Sequence, residues 1–243
     1  MIRLPFLDAA DCEAFPPVES ALVRPDGLLA AGGDLRPERL LAAYRRGIFP
    51  WYSAGQPILW WSPARRTVFD TAQVHLARRL RRWLRHCDWS IRADTDFVGV
   101  MTECAHVPRA GESGTWITAA MIDAYVRLHR HGYAHALEVR DGDILVGGIY
   151  GVALGRMFFG ESMFSARSNG SKIALLALCA GLREWGFPLL DAQNASAHLA
   201  SLGAHELPRT RFCARIAELA TLPGRVGPWT DDFPLRQARE LAG

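Results

Sequence analysis

The sequence predicts an α+β protein in two parts. A small N-terminal domain, residues 1–66, precedes a larger domain, residues 67–243, built on a mixed, largely antiparallel sheet. Three observations carry this. Residues 1–66 are rich in proline and hold Trp51, Trp60 and Trp61 close together. From Tyr133 to Ser165, alternating apolar residues broken by Asp141-Gly142-Asp143 and Leu154-Gly155-Arg156 read as a three-strand antiparallel meander. After it the periodicity runs helix, strand, helix, strand to about Leu207.

The elements follow in order. Asp34 is placed to cap a helix with Pro37 and Glu38 in its first turn, running to Arg46 and closed by Gly47. Residues 75–86, HLARRLRRWLRH, put Leu76, Leu80, Trp83 and Leu84 at helical spacing. Arg78, Arg79, Arg81, Arg82 and Arg85 occupy its other faces with no acid in the segment. Such an unbalanced helix suits a polyanion backbone, and Arg65 and Arg66 are read as extending the patch. A strand over 89–93, a helix over 94–104 and a Gly-containing loop over 109–115 follow. Thr118 caps a helix from Ala119 to His131 with Ile122, Tyr125, Val126 and His129 on its apolar face. Beyond the meander come a helix from about Lys172 to Trp185, a strand from Pro188 to Gln193, a helix from Asn194 to Leu202 and a strand from His205 to Leu207. The last twenty residues, containing proline and arginine, are expected to pack loosely.

Composition narrows the function classes. The net charge of +3 makes the molecule only mildly basic, so a nucleic-acid role has to come from a local patch. The five cysteines form no CxxC, which argues against a zinc site or a disulfide framework and for a reducing, cytoplasmic setting. No apolar run approaches the roughly 20 residues of a membrane span, and no metal or cofactor is signalled. The residue that calls for chemistry is Glu161, a lone acid in the apolar stretch GGIYGVALGRMFFGESMFS, placed just past the last meander strand. A carboxylate there needs a partner, a cleft or a ligand. Asp191 and Gln193 end a later strand, two residues apart and so expected on one face.

The helix–strand–helix–strand ending, closed by NASAHLASLGA, resembles the acetyltransferase-like (GNAT) fold, in which an acyl group is presented at a splayed strand. More specifically, GLLAAGGDLRPERLLAAYRRGIFPWY, PILWWSP, GTWIT, HGYAHALE, LVGGIYGVALGRMFFGESMFS, SNGSK, LLDAQ and HLASLGA occur in this order. Over about Phe15 to Phe212 the chain resembles the leucyl/phenylalanyl-tRNA–protein transferase family. That resemblance implies a GNAT-like acyltransferase domain and transfer of Leu, Phe or, less well, Met from aminoacyl-tRNA. The acceptor would be the α-amino group of proteins beginning with Arg or Lys, in the N-end rule pathway of protein degradation. It implies no cofactor, and a monomer is expected.

The same resemblance implies site residues. Asp191 and Gln193 would form a catalytic pair, Asp191 polarising Gln193 and Gln193 helping to remove the amine's proton. Alternatively, Gln193 orients the amine while the tRNA ribose hydroxyl shuttles the proton. Glu161 and Asp191 are both candidates to hold the cationic acceptor. Trp51, Trp116 and Phe158 match positions associated with the terminal adenosine and the aminoacyl group. Ser162 and Met163 are expected as pocket wall, with Asn169 and Ser171 as further substrate-binding candidates. Arg78, Arg79, Arg82 and Arg85 are the tRNA-binding candidates. Three departures stand out: Ala192 where relatives often carry cysteine, Gly170 where alanine is usual, and Leu178 where an aromatic pocket residue can occur. Gly170 is expected to loosen the start of its helix. Two competing readings are an acetyl-CoA-dependent N-acetyltransferase on the same fold and a non-catalytic tRNA-binding protein that uses only the arginine helix.

Overall fold

The structure, a computed structural model, describes residues 4–107 and 115–243, so most of the loop expected over 109–115 lies outside the described residues. Two sheets organise the chain. The N-terminal sheet holds β1 (Phe6–Leu7), β2 (Leu28–Gly32), β3 (Phe49–Pro50) and β4 (Leu59–Trp61) in the order β1-β2-β4-β3. The larger sheet holds β5 (Arg65–Asp70), β6 (Ser90–Ala93), β7 (Ala134–Asp141), β8 (Ile144–Leu154), β9 (Met157–Ser165), β10 (Leu189–Gln193) and β11 (His205–Pro208). Its order is β11-β5-β10-β9-β8-β7-β6. Among the described residues β9 and β10 are its parallel pair, and every other neighbour is antiparallel. The fold is therefore α+β with a mixed, largely antiparallel sheet.

Each face of the larger sheet carries its own core, because strand side chains alternate. One face packs against α1 (Pro37–Arg45), α3 (Phe97–His106), α4 (Ala119–Arg130), α7 (Arg209–Leu219) and the N-terminal sheet, with Tyr44, Trp60, Tyr125, Tyr150 and Phe159 in a continuous apolar cluster. The other face packs against α2 (Arg78–Leu84), α5 (Gly170–Glu184) and the C-terminal segment, around Phe158, Leu175, Leu178, Leu190 and Trp229. The short α6 (Ala197–Ser201), capped by Ser196, lies beside this second core through Leu199.

Several sequence expectations are corrected here. Glu161 lies inside β9, not past its end, because the strand continues to Ser165 against β8. Asp34 accepts the Arg36 N–H two residues ahead of the cap position, and α1 starts at Pro37 with Arg36 as its flanking residue. The buried face of α4 is Met121, Ala124, Tyr125 and Leu128, rotated from the expected stripe about the shared Tyr125. In α2, Leu80 and Leu84 are buried, Leu76 precedes the helix, and Trp83 stays exposed with its ring edge-on to Trp89. Gly170 answers a close approach: a Cβ there would fall 2.3 Å from the Val146 carbonyl oxygen. The C-terminal segment is packed, with Trp229, Phe233 and Ala238 buried. Its anchor is Asp94, which accepts the Trp229 N–H (2.9 Å) and pairs with His135 (2.8 Å), whose ring stacks on Trp229 at 3.7 Å. No helix among the described residues is long and apolar enough to cross a membrane.

Candidate active site

The site forms where β9 and β10 part. Their pairing runs from Leu189↔Met157 to Asp191↔Phe159 and then ends. β10 shifts register against β5 between Asp191 and Gln193, and Gln193 takes φ = 60°. A left-handed conformation at a non-glycine residue is strained. Here it is held by the Asp191 carboxylate, whose Oδ1 accepts the Gln193 main-chain N–H at 2.9 Å. The bulge turns the Gln193 side chain across the gap, where its Nε2 donates to Glu161 Oε1 at 2.7 Å. Asp191 thus meets Gln193 through the main chain, while the amide side chain belongs to Glu161.

The two carboxylates have different company. Asp191 is fully buried and bidentate with Arg66, Nε to Oδ1 at 2.8 Å and Nη2 to Oδ2 at 2.7 Å. Arg66 also donates to the Gly47 carbonyl at 2.9 Å and lies over the rings of Phe49 and Phe212, 4.5 and 4.7 Å from their centroids. Planarity suits a guanidinium to this stacked, forked environment. Arg66 is therefore not part of a surface patch. Its neighbour Arg65 points outward to Glu206 at 3.2 Å, as strand alternation requires.

Glu161 has no such cation. The hydroxyl of Tyr44 on α1 lies 2.7 Å from Oε1, and that of Tyr125 on α4 lies 3.0 Å from Oε2. The two hydroxyls also hydrogen-bond each other. Burial pushes the Glu161 pKa up to about 7, opposed by the two tyrosine hydrogen bonds and reinforced by the charge of Asp191. Burial and the adjoining Glu161 charge push both phenols well above their ordinary range. Tyr44 and Tyr125 belong to this cluster, and the sequence does not single them out. Each sits in an apolar helical stripe and reads as core; the clue was that a buried phenol needs a partner for its hydroxyl.

A cavity of about 250 Å³ opens beside this cluster. Ile149, Leu175, Leu190 and Ala192 from the α5 side form its apolar wall, and Glu161, Ser162 and Met163 line it from β9. Ser196 and His198 of the α6 turn lie at the same cavity. A second cleft, about 440 Å³, is lined by Trp51, Tyr52 and Trp61 of the N-terminal part together with Trp116, among others. Trp51 and Trp61 meet edge-on at 5.4 Å, and the Trp61 ring N–H donates to the Trp51 carbonyl at 2.6 Å, which fixes both indoles.

The remaining candidates fall elsewhere. Phe158 is buried in the α5-side core near Trp229 and does not line the cavity; Leu178 is buried in the same core. Asn169 adopts φ = 76° before α5, and Ser171 bonds to Ser165 through its main-chain N–H (2.8 Å) and hydroxyl (2.9 Å). Arg78, Arg79, Arg82 and Arg85 are exposed on and beside α2, and none makes an ion pair among the described residues.

The sequence profile described as leucyl/phenylalanyl-tRNA protein transferase matches residues 68–217, and that of its N-terminal domain matches residues 33–64. The chain belongs to this family. The leucyl/phenylalanyl-tRNA–protein transferase of Xanthomonas campestris pv. campestris (strain B100) is 58% identical over 241 residues, covering 99% of this chain and 97% of that protein. The protein of that name from Xylella fastidiosa (strain 9a5c) is 56% identical over 235 residues, 97% of both chains. Among solved structures, L-PGS from Bacillus licheniformis superposes with a TM-score of 0.37 at 10% identity, over 68% of this chain and 55% of that one.

Proposed function

We propose that this chain is an aminoacyltransferase that moves Leu, Phe or, less well, Met from aminoacyl-tRNA to the α-amino group of proteins beginning with Arg or Lys. In this reading it serves the N-end rule pathway in the cytoplasm and works as a monomer. The observation that carries the reading is the Gln193–Glu161 pair at the parted strands, set against an apolar cavity, in a chain of this family. The cavity of about 250 Å³, with its largely apolar lining, suits one apolar side chain of the size of Leu, Phe or Met. The aromatic cleft of Trp51, Trp61 and Trp116 offers ring faces and edges to a terminal adenine. The work divides accordingly: the aromatic cleft of Trp51, Trp61 and Trp116 holds nucleotide, and the parted ends of β9 and β10 with their cavity hold acyl group and acceptor.

An aminoacyl ester is already activated. The amine nitrogen bonds to the ester carbonyl carbon, the carbon–oxygen bond to the ribose breaks, and the amine's proton ends on the ribose oxygen. A free α-amino group has a pKa near 7.7–8.0, so roughly a tenth is neutral at pH 7. Placement can therefore supply much of the rate. Gln193 gives its amide nitrogen to Glu161, which leaves the amide oxygen to accept an N–H of the incoming amine. Asp191 is committed to Arg66, so its task is to hold the bulge that aims Gln193.

The deciding assay incubates the protein with radiolabelled Leu-tRNA or Phe-tRNA and an Arg-initiated peptide. Labelled peptide is expected, and its absence sinks the reading. Label arriving from acetyl-CoA instead would favour the acetyltransferase. For the arginine helix, replacing Arg78, Arg79 and Arg82 by alanine should weaken tRNA binding. It should also flatten the dependence of log K on log salt by about 2 to 3, the loss expected for three phosphate contacts. Unchanged binding would refute that face.

A further inference from the structure

The oxygens around Glu161 form three contacts: Tyr44 to Oε1 (2.7 Å), Tyr125 to Oε2 (3.0 Å), and Tyr44 to Tyr125. Each contact needs one hydrogen. An ionised carboxylate brings none, so the two phenols supply two hydrogens for three contacts. Either the two hydroxyl oxygens then face each other with lone pairs alone, or one carboxylate oxygen loses its donor. Both arrangements are costly in a site this buried. A carboxylic acid supplies the third hydrogen. Its Oε2–H donates to Tyr125, Tyr125 donates to Tyr44, and Tyr44 donates to Oε1. The second lone pair of Oε1 remains for the Gln193 amide N–H at 2.7 Å.

We propose that Tyr44, Tyr125 and a protonated Glu161 form a closed ring of hydrogen bonds that fixes the Gln193 amide with its oxygen toward the acceptor amine. This deepens the transferase reading and rests on it for the identity of the amine. Tyr44 and Tyr125 are positioning residues, acting through Glu161 and Gln193. Two charged groups face the ring. Asp191 on β10 adds a like charge that favours the acid; Arg66 on β5 opposes it, but its hydrogen bonds go to Asp191 and the Gly47 carbonyl and none to Glu161. Tyr150 on β8, edge-on to Tyr125, brings no cation. The upward shift of the Glu161 pKa by burial points the same way. A protonated Glu161 carries no charge to hold a cationic acceptor side chain, so in this proposal the ring is not that site.

The test is infrared spectroscopy of the whole protein with ¹³C-labelled glutamate, titrated from acid to alkaline pH without substrate. We expect a protonated-carboxyl C=O band that persists well above the ordinary glutamate range and is missing in Glu161→Gln. Absence of that band at pH 6 in natively folded protein would overturn the ring, whether or not transfer occurs. The second readout is the pH profile of transfer to an Arg-initiated peptide, normalised to the free-amine fraction. The wild-type rate should fall about tenfold per pH unit once Glu161 ionises, and Glu161→Gln should lose that falling limb whatever its maximal rate. A limb that survives in Glu161→Gln would also overturn the proposal. A protein that shows the band but no transfer would instead count against the transferase reading alone.

Discussion

Two carboxylates sit at the parted ends of neighbouring strands, both buried and joined through one glutamine, yet they are built for opposite states. Asp191 is held by a forked guanidinium stacked between two aromatic rings. Glu161 is held by three neutral hydrogen-bond partners, Tyr44, Tyr125 and Gln193, and no cation. Burial penalises charge equally in kind at the two places. Only Asp191 has a full opposite charge within hydrogen-bonding reach to offset it. The difference teaches a division of labour: the salt bridge fixes backbone, through the Gln193 N–H and the bulge, and the neutral cluster fixes a side chain. A rigid charged anchor and a proton-bearing ring can then stand side by side, sharing Gln193 through its main chain on one side and its side chain on the other.

The largest effect should come from breaking the charged half. Arg66→Met keeps much of the stem's volume but leaves Asp191 buried without its cation, a change that typically costs about 3–5 kcal/mol. Urea unfolding measures it. Arg66→Met with Asp191→Leu should recover part of the loss, since a paired removal leaves no orphaned charge. A single variant as stable as wild type would erase the contrast between the sites.

Next in size is the pH dependence of the neutral half. The Glu161 pKa is about 7 in the fold against 4.5 in the reference state. The folded state therefore holds the proton more tightly between these values. Stability contributed by this group is present at low pH and lost as pH rises through the window, by about 3 kcal/mol in all. Glu161→Gln should remove that slope between pH 4.5 and 7 and leave the rest of the stability curve in place. An unchanged slope would mean that Glu161 ionises like a surface acid.

Much of the fold was legible because periodicity reports burial directly. The meander, its two turns, the capped helix α4 and the terminal strands follow from alternation, glycine placement and Thr118. The site was legible where a residue type clashed with its surroundings, as Glu161 did among apolar neighbours. It was not legible where a functional residue looked like its surroundings. Tyr44 and Tyr125 are consistent with ordinary helical stripes, and only a contact between residues 81 apart reveals their chemistry. Arg66 was grouped with Arg65 by adjacency, although β5 sends consecutive side chains to opposite sides. The C-terminal segment looked loose by composition because its anchor, Asp94, lies 135 residues away.

The smallest effect separates the two halves most cleanly. Tyr44→Phe removes one hydroxyl from the ring without touching Arg66 or Asp191. If Glu161 is neutral, the loss is that of two buried hydrogen bonds between uncharged groups, one to Oε1 and one from Tyr125, about 2 kcal/mol in all. If Glu161 is a carboxylate, the same hydroxyl is a charge-assisted donor to a buried anion, and its removal should cost about 3 kcal/mol or more. Unfolding at pH 6 gives the number, and a double-mutant cycle with Glu161→Gln isolates the pair. Under the neutral ring the amide replaces the acid with little change in what Tyr44 meets, so the two substitutions should couple by well under 1 kcal/mol. Strong coupling would place a charge on Glu161 and make the two carboxylates alike after all.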